Sequence, residues 1–186
     1  MQLSRICLIE ALRHYGDRWP GEVATVAQFE TFLQTDGDVF DRRHGDGHFT
    51  GSCWLVSADG RRVLLMHHRK LGLWLQPGGH ADGNADGNAD LARVALREAW
   101  EETGLKELRV EGGVFDIDRH RIPARRDEPD HWHYDVRYVV RAGRDDRFVL
   151  NHESHALAWQ SVTEVVDDIN LDASLRRMAR KWLARA

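Results

Sequence analysis

The sequence contains few cysteines and no long apolar run. Its two cysteines, Cys7 and Cys53, are far apart and neither belongs to a C-x-x-C pair, which excludes a disulfide framework and favours a reducing, cytoplasmic setting. Arg5 and Glu10 interrupt the apolar stretch near the N-terminus, so we expect no signal peptide. No segment approaches the ~20 apolar residues that a membrane-spanning helix needs. We therefore expect a protein without a membrane partner.

An excess of positive charge is also lacking. The 26 lysines and arginines are outnumbered by 30 aspartates and glutamates, so nothing attracts the whole chain to nucleic acid or to an anionic membrane. Residues 1–47 contain no helix pair with a basic face of the kind that binds DNA. The expected partner is a small molecule, with no nucleic acid and no membrane, and a homodimer remains an open alternative.

The apolar pattern divides the chain into an N-terminal extension and one main domain. Between Leu3 and Phe40 apolar residues recur at helical spacing on both sides of Trp19-Pro20-Gly21, which predicts a two-helix extension within residues 1–47. Residues 48–186 alternate strand-like and helix-like segments and end in a helix, which predicts an α/β or α+β domain. The predicted strands are residues 50–56, 62–67, 113–122, 132–141 and 156–159, and the predicted helices are residues 90–103 and 172–184.

Three glutamates mark the helix predicted at residues 90–103. Glu98, Glu101 and Glu102 stand at positions i, i+3 and i+4, so their carboxylates share one side of the helix and extend its core-facing apolar stripe. Desolvating neighbouring carboxylates is costly unless positive charge compensates, and hard cations such as Mg²⁺ prefer carboxylate oxygens. The pattern indicates a cation site; the alternative is a solvated helix face with an ion pair between Arg97 and Glu101.

Glycines stand on both sides of this helix. Pro77-Gly78-Gly79 precede it and would let backbone groups approach a metal ion or a phosphate without intervening side chains. Gly104 follows the helix and predicts its end, because glycine readily adopts the left-handed conformation found there. A glycine turn beside a carboxylate cluster is typical of a functional site, and it makes Gly78 and His80 candidate substrate-binding residues.

Residues 97–105, R-E-A-W-E-E-T-G-L, resemble the second half of the Nudix box, which is a Gly, five residues, a Glu, seven residues and R-E-U-x-E-E-x-G-U with U bulky and apolar. P-G-G at residues 77–79 stands where the family usually has it, and E-S-x-x-L-x-W at 153–159 extends the resemblance, which covers roughly residues 48–162. The resemblance implies an α/β/α sandwich around a mixed sheet, here with an N-terminal helical extension. It also implies a hydrolase that cleaves a diphosphate linkage in a nucleoside diphosphate derivative or a similar small molecule.

The resemblance further implies roles for particular residues. The implied catalytic and metal-binding groups are Glu98, Glu101, Glu102, the Gly79 carbonyl, and Arg97 as the residue that orients the carboxylates. They would hold Mg²⁺ or Mn²⁺, which neutralises the diphosphate and lowers the pKa of the attacking water. The family places one more acidic residue outside the box as metal ligand or general base, and Glu153 is the candidate here.

Two departures from the box concern the segment before the helix. Ala89 occupies the place of the first Glu of the box, which lowers the expected metal affinity more than it alters the reaction class. Eighteen positions separate Gly79 from Arg97, against fourteen in the usual box. The excess of four coincides with a tandem A-D-G-N repeat at residues 81–88, which predicts a short inserted duplication.

The same repeat has some features of a calcium-binding loop. Positions 1, 3, 5, 6 and 9 of an EF-hand-like loop are filled by Asp82, Asn84, Asp86, Gly87 and Asp90. Position 12 should supply a bidentate carboxylate, but it is Arg93. A solvated loop is therefore favoured over calcium binding.

Histidine is unusually frequent, with 11 residues, and several histidines share strand faces with charged residues. Side-chain alternation puts one such set on each of two predicted strands. These sets are His131, His133, Asp135 and Arg137 on one strand, and Asp116, Asp118 and His120 on the other. If the two strands pair, the side chains form a polar wall suited to a phosphate, a ribose or a second metal; the alternative is a surface hairpin with satisfied polar pairs. We take His120, His131, His133, Asp135 and Arg137 as substrate-binding candidates.

Basic and aromatic residues supply further candidates for substrate contact. Arg69, Lys70 or Arg137 could hold the outer phosphate, and Trp74 or Trp132 could stack on a base, although a tryptophan is more often part of the core. Two other functions remain open: a catalytically weak Nudix-like module that binds a nucleotide derivative as a sensor, and an isomerase acting on a diphosphate ester. Retention of all three helix carboxylates favours the hydrolase.

Overall fold

The computed structural model describes residues 3–81, 89–125, 128–151 and 154–185. Two helices come first, α1 (Leu3–Arg18) and α2 (Val23–Leu33), joined by a 3₁₀ turn over Pro20–Glu22. The turn lies at the predicted break, because proline has no N–H to donate to a continuing helix. Within the described residues, every helix is too short or too polar to cross a membrane.

Seven strands in the described ranges form one mixed sheet. They are β1 (Gly47–Val56), β2 (Arg62–His68), β3 (Trp74–Leu75), β4 (Gly78–His80), β5 (Leu108–Ile122), β6 (His131–Ala142) and β7 (Ser154–Ser161). The strand order is β3-β2-β1-β6-β5, while β4 pairs with β1 and β7 pairs with β2. Strands β1 and β6 are parallel, and the other pairs are antiparallel.

Helices cover both faces of this sheet. Helix α3 (Leu91–Thr103) packs on β1 together with α1 and α2 around one apolar core, and α4 (Val162–Asp167) and α5 (Ala173–Leu183) pack around a second core. The extension is part of the first core, since the ring of Phe32 stacks on that of Tyr134 with centroids 4.0 Å apart. The predicted α/β/α sandwich with helices before the first strand is confirmed.

The boundaries differ from the sequence prediction in ways that have local causes. Asp90 and Asp172, predicted as the first helical residues, are instead the N-caps of α3 and α5, and their carboxylates accept backbone N–H groups of the first turn. Gly104 ends α3 as predicted, with φ of 69°. Strands β3 and β4 were not predicted, because two or three residues are too few to show alternation.

A buried charge network joins the two ends of the chain across the sheet. Asp116 on β5 is fully buried and accepts hydrogen bonds from Arg137, Arg177 and Lys181. The Lys181 ammonium also donates to the Tyr15 hydroxyl of α1 at 2.5 Å. Helices α1 and α5 are therefore tied to the same strand.

Candidate active site

The short strand β4 forms the floor of the site. It pairs with β1 so that Gly79 lies opposite Gly51 and Gly78 lies opposite Ser52. The Gly78 N–H donates to Oε2 of Glu102 at 3.0 Å, and Glu102 is only 7% exposed. Helix α3 thus places a buried carboxylate directly against the glycine turn.

Side chains are excluded from this turn by its neighbours. A Cβ on Gly79 would lie 2.6 Å from the carboxylate carbon of Glu98, and a Cβ on Gly78 would lie 2.1 Å from the hydroxyl oxygen of Ser52. Both distances are far below van der Waals contact. Glycine is required at both positions, because Ser52 fills the space beside Gly78 and the Glu98 carboxylate fills the space beside Gly79.

Arg97 fixes the orientation of Glu98. One guanidinium nitrogen of Arg97 donates to Oε1 of Glu98 at 2.7 Å and to the His80 carbonyl at 2.8 Å. The Glu98 side chain is 14% exposed, whereas that of Glu101 is 49% exposed and its carboxylate lies 3.8 Å from Arg97. The three glutamates therefore differ: Glu98 and Glu102 face the glycine turn, and Glu101 faces solvent.

A buried thiol lies beside these carboxylates, and its pKa depends on their charge. Cys53 is fully buried on β1, and burial raises its pKa well above the usual value. The negative charges of Glu102, Glu98 and Asp135 raise this pKa further. The space beside the carboxylates has a negative potential, which favours a cation.

A polar wall lies on a face of the same sheet, where β1, β6 and β5 are in register. Residues paired across neighbouring strands project from the same face. The wall consists of three rows, which are His48, His133 and His120; Thr50, Asp135 and Asp118; and Ser52, Arg137 and Asp116. The strand pairing on which the polar wall depends is therefore present.

A family model for the NUDIX domain matches residues 48–184. The chain belongs to the Nudix family. It is a hydrolase of the pyrophosphate-cleaving kind that defines this family, whose members generally need divalent metal ions. No curated protein matched the chain in a sequence comparison.

Solved structures of other Nudix proteins share the fold. A NUDIX-family hydrolase from Clostridium perfringens is 25% identical, with a TM-score of 0.55 over 74% of this chain and 97% of that one. The Ap4A hydrolase of C. elegans is 18% identical, with a TM-score of 0.57 over 74% and 96% of the two chains. The NUDIX domain of Shewanella oneidensis NrtR, solved with ADP ribose, is 21% identical, with a TM-score of 0.54 over 83% and 97%.

The departures from the Nudix box can now be placed. Ala89 is 9% exposed and packs in the first core, so the position of the missing Glu is filled by an apolar contact. Asp90 uses its carboxylate to cap α3. The predicted ligand Glu153 and residues 82–88, which carry most of the calcium-loop pattern, lie outside the described residues.

Two residues of the polar wall serve the sheet itself. The Asp135 carboxylate accepts hydrogen bonds from Thr50 at 2.9 Å, from Ser52 at 2.7 Å and from Arg137 at 2.7 Å. Arg137 also bonds Asp116, and Asp135 and Arg137 are each 2% exposed. Neither residue offers surface to a substrate, so the structure does not bring these two candidates to an accessible site.

The remaining candidates of the polar wall belong to a cluster of five imidazoles. This histidine cluster consists of His48, His80, His120, His131 and His133, with neighbouring ring centroids 4.6 to 5.4 Å apart. His48 is not among the residues predicted from the sequence, although its alternation with Thr50 and Ser52 could have revealed it. Burial, and then the charges of nearby histidines, lower the pKa of His48 to about 3 and that of His133 to about 2.

The other proposed substrate contacts lie at or beyond the ends of strands. The guanidinium carbon of Arg119 lies 3.6 Å from the ring centroid of Trp132, and the ring centroids of Trp74 and His67 are 5.3 Å apart. Both indoles are partly exposed. Arg69 and Lys70 are exposed beyond the end of β2. Asp118 keeps its charge beside the histidine cluster: burial opposes ionisation, but His120, Arg137 and Arg177 outweigh it and lower the pKa.

Proposed function

We propose that the chain hydrolyses a diphosphate linkage in a nucleoside diphosphate derivative, with Mg²⁺ or Mn²⁺ bound at the glycine turn. The observation that carries the proposal is the convergence of Glu98 and Glu102 on Gly78 and Gly79, where a single Cβ would not fit. Carboxylates beside bare backbone, in a negative potential, form the oxygen-rich surroundings that hard divalent cations prefer.

The residues present fit such a cation. Glu98, Glu102 and the Gly79 carbonyl would hold it, and the more exposed Glu101 would complete the set, with Glu153 as a further ligand or general base. Mg²⁺ or Mn²⁺ supplies charge neutralisation for the diphosphate and lowers the pKa of water. The missing first Glu of the box removes one peripheral carboxylate and leaves these groups in place.

The protein's own groups prepare this chemistry before a substrate binds. Arg97 holds the Glu98 carboxylate by a 2.7 Å hydrogen bond and is itself held by the His80 carbonyl. The Gly78 N–H fixes Glu102 in the same way. Because both carboxylates are oriented by existing hydrogen bonds, little reorganisation is needed when the site is loaded.

The family and the neighbouring structures support the proposed substrate class. The similar proteins include one solved with ADP ribose and one named for hydrolysis of Ap4A, both of which contain nucleoside diphosphate units. The partly exposed aromatic surface of Trp74 suits a base, and the partly exposed His120 suits the polar groups of a sugar. We propose these two residues as substrate contacts.

A substrate panel tests the proposal. Purified protein is incubated with ADP-ribose, Ap4A, nucleoside triphosphates, nucleotide sugars and coenzyme diphosphates, with Mg²⁺ or Mn²⁺, and released phosphate or nucleotide is measured. We expect at least one compound to be hydrolysed, and Glu101→Gln to lose orders of magnitude in rate. Glu164→Gln, an exposed change on α4, is the matched control and should keep the parent rate. Absence of turnover with every compound, or full activity of Glu101→Gln, would contradict the proposal.

A binding module without turnover is not favoured. Such a module has no need of Arg97 beside oriented carboxylates, yet that arrangement is complete here. The two functions are distinguished by calorimetry on the same panel, because a sensor binds a nucleotide derivative and leaves it intact over hours in the presence of Mg²⁺.

A further inference from the structure

Three rings of the histidine cluster come together from three different strands. His48 of β1 is paired with His133 of β6, and His80 of β4 is paired with Thr50, two residues further along β1 on the same face. One ring nitrogen from each of His48, His80 and His133 lies within 4.8 Å of the other two. The three histidines are far apart in the sequence, so the register of the strands is what brings them together.

His48 has unsatisfied hydrogen-bonding capacity. It is 0% exposed, and neither of its ring nitrogens has a hydrogen-bond partner in the described part of the chain. Nε2 of the buried His131 also has no hydrogen-bond partner in the described residues. An unpaired buried polar atom costs about 1–3 kcal/mol, so these nitrogens point to a ligand at the cluster, and an ion held by His48 would satisfy one of them.

The chemistry of the rings selects a cation over an anion. An ordinary histidine, with a pKa of about 6.5, is mostly neutral at pH 7, and burial of His48 and partial burial of His133 favour the neutral ring further, so both offer lone pairs. The nearest buried cation of the polar wall, Arg137, is already paired with Asp135 and Asp116. A phosphate would find little positive charge here, whereas a metal ion would find neutral imidazoles.

We propose that His48, His80 and His133 bind a zinc-class divalent transition-metal ion at a second site, separate from the carboxylate site. Imidazole nitrogen suits Zn²⁺ and its neighbours in the first transition row, and three histidines with one open position form a known type of zinc site. His120 lies beside His133, with ring centroids 5.4 Å apart, and its side chain is 43% exposed. Solvent therefore reaches the margin of the histidine cluster.

Small ring movements complete the geometry. Tetrahedral ligands at a Zn–N distance of ~2.0–2.1 Å stand about 3.3 Å from one another. The nitrogens now lie within 4.8 Å of one another, so the imidazoles have to move closer by rotation about their side-chain bonds when an ion binds. His120 and His131 keep fixed orientations at the margin, since their Nδ1 atoms pair with the Asp118 carboxylate and the Pro129 carbonyl.

The second site is independent of the first in position and in ligand preference. Successive residues of a strand project to opposite faces, so the His80 ring and the Glu98 carboxylate beside Gly79 lie on opposite sides of β4. Mg²⁺ prefers the carboxylates, and zinc-class ions prefer the imidazoles. Saturating Mg²⁺ should therefore leave the histidine site free to bind Zn²⁺.

Metal titration of the chelator-treated protein tests the inference. In excess Mg²⁺, Zn²⁺ binding is measured by calorimetry, and Co²⁺ binding by its visible absorption, which is strong in tetrahedral sites and weak in octahedral ones. We expect one ion per chain in the parent and in His14→Gln, an exposed change on α1 that serves as the control. His133→Gln, at a partly exposed ligand, should bind roughly a hundredfold or more weakly. His48→Gln should do the same, with circular dichroism confirming that it folds.

Two results would overturn the inference. One is a parent that takes up no more Zn²⁺ than the His133→Gln variant. The other is loss of Zn²⁺ uptake in Glu98→Gln with unchanged uptake in His133→Gln, which would assign the ion to the carboxylate site. Neither result depends on hydrolytic activity, so the outcome is separate from that of the proposed function.

Discussion

At the scale of single residues, Glu102 shows how a charged side chain is kept in a nearly buried position. Its carboxylate accepts the Gly78 N–H at 3.0 Å, and no more than 7% of the residue is exposed. Glu98, one turn earlier, is held by Arg97. Carboxylates in this arrangement repel each other until a cation binds. They therefore lower the stability of the metal-free protein, although metal binding requires them.

Glu102→Gln separates these two contributions. Glutamine keeps the size of the side chain and an oxygen that accepts the Gly78 N–H, but it removes a charge that the metal requires. Turnover should fall by orders of magnitude, while the metal-free protein should be as stable as the parent or more stable by a few tenths of a kcal/mol. Added Mg²⁺ or Mn²⁺ should raise the melting temperature of the parent more than that of the variant. Hydrolysis assays and thermal melts with and without metal measure both effects.

The control for this comparison is again Glu164→Gln, which should behave as the parent in every assay. A fully active Glu102→Gln enzyme would mean that the carboxylate is not catalytic. A variant destabilised by several kcal/mol, with an unchanged response to metal, would mean that the cluster is structural.

At the scale of elements, the segment between β4 and α3 is the part of the Nudix box that departs most from the family. Both of its ends are anchored: the His80 carbonyl accepts a hydrogen bond from Arg97, and Asp90 caps α3. The four extra residues coincide with the A-D-G-N repeat. Anchored ends with a repeated insert between them predict that the insert can be removed.

Deletion of residues 85–88 restores the spacing of the family, and we expect it to preserve both the melting temperature and Mg²⁺-dependent turnover. Loop closure depends weakly on length, so four residues fewer cost little. A variant of parental length with Gly-Ser-Gly-Ser at 85–88 is the control for sequence identity. Collapse of turnover or of melting temperature in the deletion would refute the insertion hypothesis, and a Ca²⁺-dependent rise in the melting temperature of the parent would support the calcium loop instead.

At the scale of the whole molecule, the N-terminal helices and the Nudix domain share packing and charge. Phe29 lies against Phe49 with ring centroids 5.8 Å apart, and Tyr15 reaches the Asp116 network through Lys181. The family match begins at residue 48. Residues 1–47 therefore precede the part of the chain that matches the family. We propose that they nevertheless fold with residues 48–186 as one cooperative unit.

Asp116→Asn tests the network that joins these parts. Asp116 is fully buried between Arg137, Arg177 and Lys181, so loss of its charge leaves buried cations close together. We expect the free energy of unfolding to fall by about 3–5 kcal/mol, still in a single transition. Denaturant unfolding measures the change, and Asp167→Asn, at an exposed position on α4, should stay within about 0.5 kcal/mol of the parent. Equal stability of the two variants would show that the network contributes nothing.

The sequence determined those parts of the protein that depend on local spacing. The i, i+3, i+4 pattern of Glu98, Glu101 and Glu102 follows from helical geometry alone, and Gly104 ends the helix because of its own backbone freedom. The glycine turn at Gly78 and Gly79 was also recognisable, although the reason for it, the carboxylate of Glu98 pressed against the backbone, became visible only in three dimensions.

Tertiary structure alone decided what each of these groups faces. Helical spacing gives all three glutamates one side of α3, but packing against β4 buries Glu102 and leaves Glu101 half exposed. His48 and His133 meet because β1 and β6 pair in parallel across more than eighty residues of intervening chain. No local propensity specifies that register: it is set by burial of the two sheet faces, which is a property of the assembled core.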